Sequence, residues 1–249
     1  MECKEFEYSL EELREKNLVR LSKGQRIYSK VKRGLDIICS AVGLVMLSPV
    51  FVIAAAAIKM EAPKEKVIFK QKRIGRKGDT FYLYKFRSMR SDSPELSTSE
   101  FFNAEQYITK VGKFIRKTSI DELPQLWNVL KGDMSLVGPR PLLPKEEEVH
   151  FLRNYYGIYQ VRPGITGLAQ ISGRDAVDDY NKVRMDREYV RKVSFLLDFK
   201  ILWRTAFKVV KSEGVVDKGE EKKTTVNCDS EMDEEEYQRA IQCYSECRK

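Results

Sequence analysis

The sequence predicts a mainly helical α+β fold, a monotopic membrane protein. It would carry an N-terminal re-entrant helix-break-helix, a small β-hairpin and amphipathic interfacial helices. Three observations carry this expectation. Ile37 to Ile58 is an uncharged apolar run of 22 residues, Phe195 to Lys211 sets a basic arc against an aromatic one, and two short strand-like segments flank a glycine turn between them. The 249 residues are 42% hydrophobic and 33% charged, enough to bury a core and to exclude a disordered chain. A mean hydropathy of -0.45 excludes a polytopic membrane protein, although an average hides local runs. Net charge is +8, from 45 Lys and Arg against 37 Asp and Glu, which calls for an anionic partner: nucleic acid, a phospholipid surface or a phosphorylated substrate. Five cysteines (Cys3, Cys39, Cys228, Cys243, Cys247) are odd in number and irregularly spaced, and no secretory signal precedes them. They argue for a reducing compartment rather than a disulfide framework.

Residues 1–30 read as a charged helical extension, with a weak helical pattern from Leu10 to Leu21. Residues 31–60 hold the apolar run. At 1.5 Å per residue a 22-residue helix is about 33 Å long, enough to cross a hydrocarbon core. Its eleven Ile, Val, Leu and Phe residues favour insertion by about 3–7 kcal/mol. The competing expectation is a buried core helix. Two features argue for re-entry rather than spanning. Ser48-Pro49 sits at the midpoint, and proline removes a backbone donor and crowds the Val45 carbonyl, so the helix should bend there. Basic residues also flank the run on both sides, from Lys23 to Arg33 and from Lys59 to Lys77, whereas a spanning helix concentrates them on one.

Residues 61–211 form the motif-bearing body. Phe69–Lys77 and Phe81–Arg87 read as a two-stranded hairpin. Pro124 suits the first turn of a helix running to about Lys131, which Gly132 would stop. Asp121 and Glu122 then stand at the amino end of that helix, where exposed amides favour negative charge. Two roles compete for them. Ser119 to Glu122 matches a capping box, which would make Glu122 structural, while adjacent carboxylates near Arg116 and Lys117 also suit a divalent cation and a phosphate. Gly138-Pro-Arg-Pro141 and Arg162-Pro-Gly-Ile-Thr-Gly167 each set an arginine beside backbone-stiffening residues, as a phosphate site or an ordinary turn would. No Walker loop, dinucleotide glycine motif or zinc-spaced Cys/His set is present, and His150 reads as a surface residue. In Phe195 to Lys211, Lys200, Arg204, Lys208 and Lys211 fall within an arc of about 80°. Phe195, Leu196, Phe199, Leu202, Trp203 and Phe207 lie opposite, and Leu197 and Ile201 intrude on the basic side. This is the pattern of a helix in the membrane interface, with Trp203 and Phe207 as anchors; the alternative is a helix packed on the core. Residues 212–249 read as a polar tail, with an acidic cluster from Asp229 to Glu236 and a short helical pattern at the end.

Five motifs then occur in one order: KRGLD (Lys32 to Asp36) before the Ser-Pro break, YKFRSM (Tyr84 to Met89), TSIDELPQ (Thr118 to Gln125), KGDMSLVGPRP (Lys131 to Pro141) and RPGITGLAQ (Arg162 to Gln170). From about Lys30 to Lys211 the chain resembles the bacterial sugar transferases, the small monotopic phosphoglycosyl transferases. The resemblance implies transfer of a sugar-1-phosphate from a UDP-sugar to undecaprenyl phosphate, with release of UMP, as the first membrane step of glycoconjugate assembly. It implies Asp121 as nucleophile and as the ligand of Mg²⁺, Glu122 as its catalytic neighbour, and Arg116 and Arg140 as phosphate contacts; Arg162 of the Arg-Pro-Gly turn and Lys85 of the basic hairpin are expected to join them by their charge. It further implies the cytoplasmic face of the bacterial inner membrane, membrane phospholipid as a partner, no nucleic acid, and leaves a homodimer open. The short form, without a large amino-terminal helical region, is similar to the diacetylbacillosamine-type enzymes, so an N-acetylated sugar (diacetylbacillosamine, GlcNAc or GalNAc) is expected ahead of galactose or glucose. Two rivals from other classes are a non-catalytic membrane-anchored scaffold and a nucleic-acid binder. The first leaves the Asp-Glu and Pro-Arg-Pro motifs unexplained, and the second lacks a reading motif.

Overall fold

The computed structural model describes Glu15 and residues 17–93, 104–172, 178–210 and 234–247. Most of the helical pattern before Asn17, Cys3, Cys228, the linker after Lys211 and the acidic residues from Asp229 to Asp233 lie outside the described residues.

Helix α1 (Lys23–Met46) opens on a capping box, in which the Ser22 hydroxyl accepts from the Gln25 amide and the Gln25 side chain accepts from that of Ser22. It therefore starts well ahead of the apolar run. Its faces are reversed relative to a helix of a water-surrounded domain. Arg33, Asp36, Ser40 and Gly43, three or four residues apart, face the protein. Ile27, Val31, Leu35, Ile38 and Val42 have the same spacing and are 40–64% exposed. Arg33 donates to the carbonyls of Val129 (2.5 Å) and Leu130 (3.0 Å), Asp36 accepts from the Leu136 amide (3.1 Å), and Gly43 lies against Leu126.

The Ser-Pro break falls where proline chemistry requires it. Leu47 leaves helical geometry, the Ser48 hydroxyl donates to the Val45 carbonyl (2.8 Å), and Pro49 occupies the first turn of α2 (Ser48–Glu61), where its missing amide costs nothing. The two helices meet at 59°, and among the described residues no single helix is long and apolar enough to cross a membrane. Of Ile37 to Ile58 only Ser40, Ala54 and Ile58 are buried, so this is not a core helix.

Strands β1 (Ile68–Ile74) and β2 (Thr80–Phe86) pair antiparallel with Phe69 opposite Lys85, turning through Lys77 and Gly78 at positive φ. Ala54 and Ile58 of α2 pack on Phe86 and on Ile115 of α3 (Lys110–Lys117), so the hairpin and this helix seat α2. Helix α4 (Gln125–Lys131) ends at Gly132, with φ 106°, as expected. A parallel pair not foreseen from the sequence joins β3 (Ser135–Val137) to β4 (Gly164–Thr166). It brings the Gly-Pro-Arg-Pro and Arg-Pro-Gly segments together so closely that a Cβ at Gly164 would stand 2.1 Å from the Gly138 nitrogen.

The main core gathers β3 with α5 (Glu147–Tyr155), the short α6 (Leu168–Ser172), α7 (Asp179–Lys192) and α8 (Phe195–Val210). In α8 the flank of the basic arc that carries Leu197 and Ile201 turns inward, while Lys200 and Arg204 stay exposed. Ile201 is fully buried, Asp198 is 5% exposed, and the Lys208 ammonium donates to the Ile171 carbonyl (2.6 Å). Trp203 is 68% and Phe207 54% exposed, which disposes of the core-packed alternative for that face. Asp198 accepts from Tyr28 (2.6 Å), Tyr189 (2.8 Å) and the Lys32 ammonium, tying α1, α7 and α8 at one carboxylate. Helix α9 (Glu234–Cys247) lies on α5, burying Tyr237 and Ala240.

Candidate active site

The site is built from the turn that precedes α4. Ser119 adopts left-handed geometry (φ 56°, ψ 17°), rare for a residue with a Cβ. The 3-10 turn Ile120–Glu122 that follows leaves Asp121 9% exposed. The capping box does not form. Ser119 makes no side-chain capping bond, and the Glu122 carboxylate instead meets Lys85 at 2.8 Å and Arg140 at 3.8 Å. A buried carboxyl with cations on one side has opposing influences. Burial is the largest and pushes Asp121 above the ordinary aspartate range; Lys85 pulls it down, Glu122 pushes it up, and Arg116 and Arg140 pull it down again.

Each cation reaches the pair by a separate route. Lys85 comes from β2, which α4 holds in place through Asn128, fully buried, with its amide donating to the Tyr82 carbonyl (2.7 Å) and its oxygen accepting from the Tyr84 amide (3.0 Å). Arg116 sits in the last turn of α3, donating to the Met89 sulfur at 3.5 Å. The start of that helix is held by Glu61 at the end of α2, whose carboxylate accepts from the amides of Lys110 (2.8 Å) and Val111 (3.0 Å). Arg140 follows β3, and its own carbonyl accepts from Arg153 (2.7 Å), whose guanidinium is buried against Asp186.

The structure thus brings Asp121, Glu122, Lys85, Arg116 and Arg140 together. It does not bring Arg162 to them. Arg162 donates to the Gly132 carbonyl (3.0 Å) at the far end of α4, among Arg33, Arg76 and Asp36. Seven residues of helix put that end about 10 Å away. Ser48, Pro49, Trp203 and Phe207 lie on the exposed apolar faces. His150 is half-buried rather than a surface residue. Its Nε2 donates to the Leu143 carbonyl (2.7 Å), Nδ1 meets the Tyr159 hydroxyl, and burial pushes its pKa down.

Sequence reasoning missed Asn128, Arg33, Arg153 and Met89. Asn128 did leave a signal, a polar residue in the apolar LWNVL stretch. Arg153 left none, because its partners are 13 and 33 residues away. No group of three or more His, Cys, Asp or Glu side chains suited to a metal occurs among the described residues. Two adjacent carboxylates, one already paired with Lys85, fit only a cation that takes most of its ligands from a substrate phosphate and water, which is the habit of Mg²⁺.

A sequence profile described as Bacterial sugar transferase matches residues 27–212. The chain is 48% identical over 169 residues to a protein of Bacillus subtilis (strain 168) named Uncharacterized sugar transferase EpsL, covering 66% of this chain and 79% of that one. It is 40% identical over 187 residues to the UDP-N-acetylgalactosamine-undecaprenyl-phosphate N-acetylgalactosaminephosphotransferase of Aeromonas hydrophila, covering 72% of this chain and 43% of the other. It is also 40% identical over 183 residues to the UDP-glucose:undecaprenyl-phosphate glucose-1-phosphate transferase of Caulobacter vibrioides, covering 70% and 67%. Several of the curated relatives are therefore more than twice as long as the stretch they share with this chain.

Proposed function

This chain belongs to the bacterial sugar transferase family, and on that premise we propose that it moves a sugar-1-phosphate from a UDP-sugar to undecaprenyl phosphate through a covalent phosphosugar intermediate on Asp121. The observation that carries the proposal is the convergence of Lys85, Arg116 and Arg140 on a buried Asp121 beside Glu122.

An oxygen of the Asp121 carboxylate attacks the phosphorus that bears the sugar. The bond from that phosphorus to the bridging oxygen breaks, the oxygen keeps the electron pair, and UMP leaves. A phosphate oxygen of undecaprenyl phosphate then attacks the same phosphorus, and the carboxylate departs with its electron pair. The product is undecaprenyl-diphosphate-sugar. No proton needs to be moved in either step, so what the site must supply is position and positive charge. Glu122 holds Lys85 and Arg140 where negative charge gathers, and Arg116 acts on Asp121 from the last turn of α3. Bound Mg²⁺, held by Asp121 and substrate oxygens, would neutralise phosphate charge. The sugar is of the hexose or N-acetylhexosamine class. The test is UMP release with undecaprenyl phosphate across UDP-glucose, UDP-galactose, UDP-GlcNAc, UDP-GalNAc and UDP-diacetylbacillosamine, with and without Mg²⁺.

Because the nucleophile must be ionised, kcat/KM rises with pH as Asp121 loses its proton, over a range above that of an ordinary aspartate. Lys85 is the strongest influence lowering that pKa. Lys85→Met therefore moves the acid limb of the pH profile to higher pH and lowers kcat/KM at neutral pH by roughly 10²-fold; a limb that stays in place speaks against Asp121 as the titrating group.

The location proposed is the cytoplasmic face of the bacterial inner membrane, with the bent pair α1–α2 entering and leaving one leaflet and α8 lying in its surface. The exposed apolar faces of these helices support it. Each large aromatic lost from lipid costs about 1.5–3 kcal/mol, so Trp203→Glu combined with Phe207→Glu is expected to weaken vesicle co-sedimentation by at least roughly 10²-fold while far-UV circular dichroism stays unchanged. Unaltered sedimentation would mean that this face does not touch lipid.

A further inference from the structure

Between the end of α2 and the segment that leaves β2 lies a cavity of about 280 Å³. None of Asp121, Glu122, Lys85, Arg116 or Arg140 lines it. Met89 is the link: its side chain borders the cavity, and its sulfur accepts from the Arg116 guanidinium at 3.5 Å, the same guanidinium that acts on Asp121. Two side chains, Met89 and Arg116, therefore link the cavity to the reacting carboxylate.

Its chemistry differs from that of the catalytic cluster. There, cations converge, as phosphates require. Here three carboxylates, Glu61, Glu65 and Asp92, face two guanidiniums, and both guanidiniums are paired, Arg87 with Glu65 at 3.4 Å and Arg90 with Asp92 at 2.6 Å. Such a lining repels a phosphate. No aromatic ring among its described residues could stack on a uracil. What its lining offers is a dense set of hydroxyl, carboxylate and guanidinium groups together with the apolar surface of Ile58, Ala62 and Met89. A pyranose presents the matching pair of surfaces, an edge of hydroxyls and a face of C–H groups. Volume agrees, because the cavity falls just under the roughly 300–1,000 Å³ of pockets for drug-sized ligands, too small for a whole nucleotide sugar.

We propose that this cavity binds the sugar of the UDP-sugar donor, and that Ser91 and Asp92 at its rim decide which sugar is accepted. The proposal rests on the function proposed above. The phosphates would lie on Lys85, Arg116 and Arg140 while the sugar occupies the far side of Met89, with Ser91 and Asp92 within reach of its ring substituents.

The test uses the full chain in detergent or vesicles, assayed for UMP release with undecaprenyl phosphate over the same five donors, with sugar-free UDP as a competitive inhibitor. Ser91→Phe adds bulk at an exposed position and gives up the hydroxyl's bond to Glu65, and Asp92→Asn removes charge, and with it the ion pair to Arg90, without changing shape; both positions are on the surface. Expected for Ser91→Phe is a rise in KM of about tenfold or more for N-acetylated donors, with a smaller rise for plain hexoses. Expected for Asp92→Asn is a changed ratio of kcat/KM among the donors. The inhibition constant of UDP should stay within about twofold for both. Donor ratios that match the parent in both variants, or a UDP constant that rises along with KM, overturn the sugar assignment while leaving the transferase function standing. A parent protein silent on all five donors overturns the function itself, and the sugar assignment with it.

Discussion

Asp121→Asn is expected to abolish UMP release, by at least roughly 10³-fold, while membrane binding persists. The asparagine keeps the shape of the side chain and its burial but cannot form the bond to phosphorus, and loss of a nucleophile is among the most costly single changes in an enzyme. The same substitution should raise thermal stability. The Asp121 carboxyl has a folded pKa above its unfolded value, so the stability it contributes is present at low pH and is lost as pH rises through the folded pKa. At neutral pH the asparagine is free of that cost, and its melting temperature should exceed the parent's, the usual exchange between activity and stability at a strained site. Full UMP release would remove Asp121 from the chemistry. Loss of activity with a lowered melting temperature would point to a structural role instead.

Asp186→Ala is expected to be the most destabilising substitution in the body of the protein. Arg153 and Asp186 are 2% and 1% exposed and pair with each other inside the main core. Removing one partner strands a buried charge and costs about 3–5 kcal/mol, a large part of the roughly 5–15 kcal/mol that holds a domain together. Chemical denaturation in detergent would read this directly. A double replacement, Asp186→Leu with Arg153→Met, should recover much of the loss, because it removes both charges. It should not recover activity in full, since Arg153 also donates to the Arg140 carbonyl and so steadies the guanidinium that meets Glu122. Recovery of stability and activity together would reduce Arg153 to packing alone.

What was legible in the sequence was local. Pro49 announced the break because a missing amide acts on its own helix, and Pro124 and Gly132 bracketed α4 because caps depend on neighbouring residues. The hairpin was readable from two alternating segments around Gly75 and Gly78. The Asp-Glu pair and the three cations that the structure sets near it, Lys85, Arg116 and Arg140, were all named from the sequence. What stayed hidden depended on contacts between distant residues. Arg162 sits in a motif beside the catalytic segments, yet the β3–β4 pairing sends its guanidinium to Gly132. The sequence pattern of α8 showed two faces but not which one meets the protein, and a buried Asp198 reached by Lys32 and Tyr28 reversed the ordinary expectation. Asn128 joins α4 to β2 across 44 and 46 residues, beyond any helical or strand period.

The carboxylate that ties α1 to α8 has a consequence for how the chain is made. Lys32 and Asp198 are 166 residues apart. At the roughly 5–20 residues per second of translation, about 8–33 s pass between the appearance of α1 and that of its last anchor. Through that interval the outward stripe of Ile27, Val31, Leu35, Ile38 and Val42 exists without the body that later holds it. Helix α1 is thus made long before the last of its anchors.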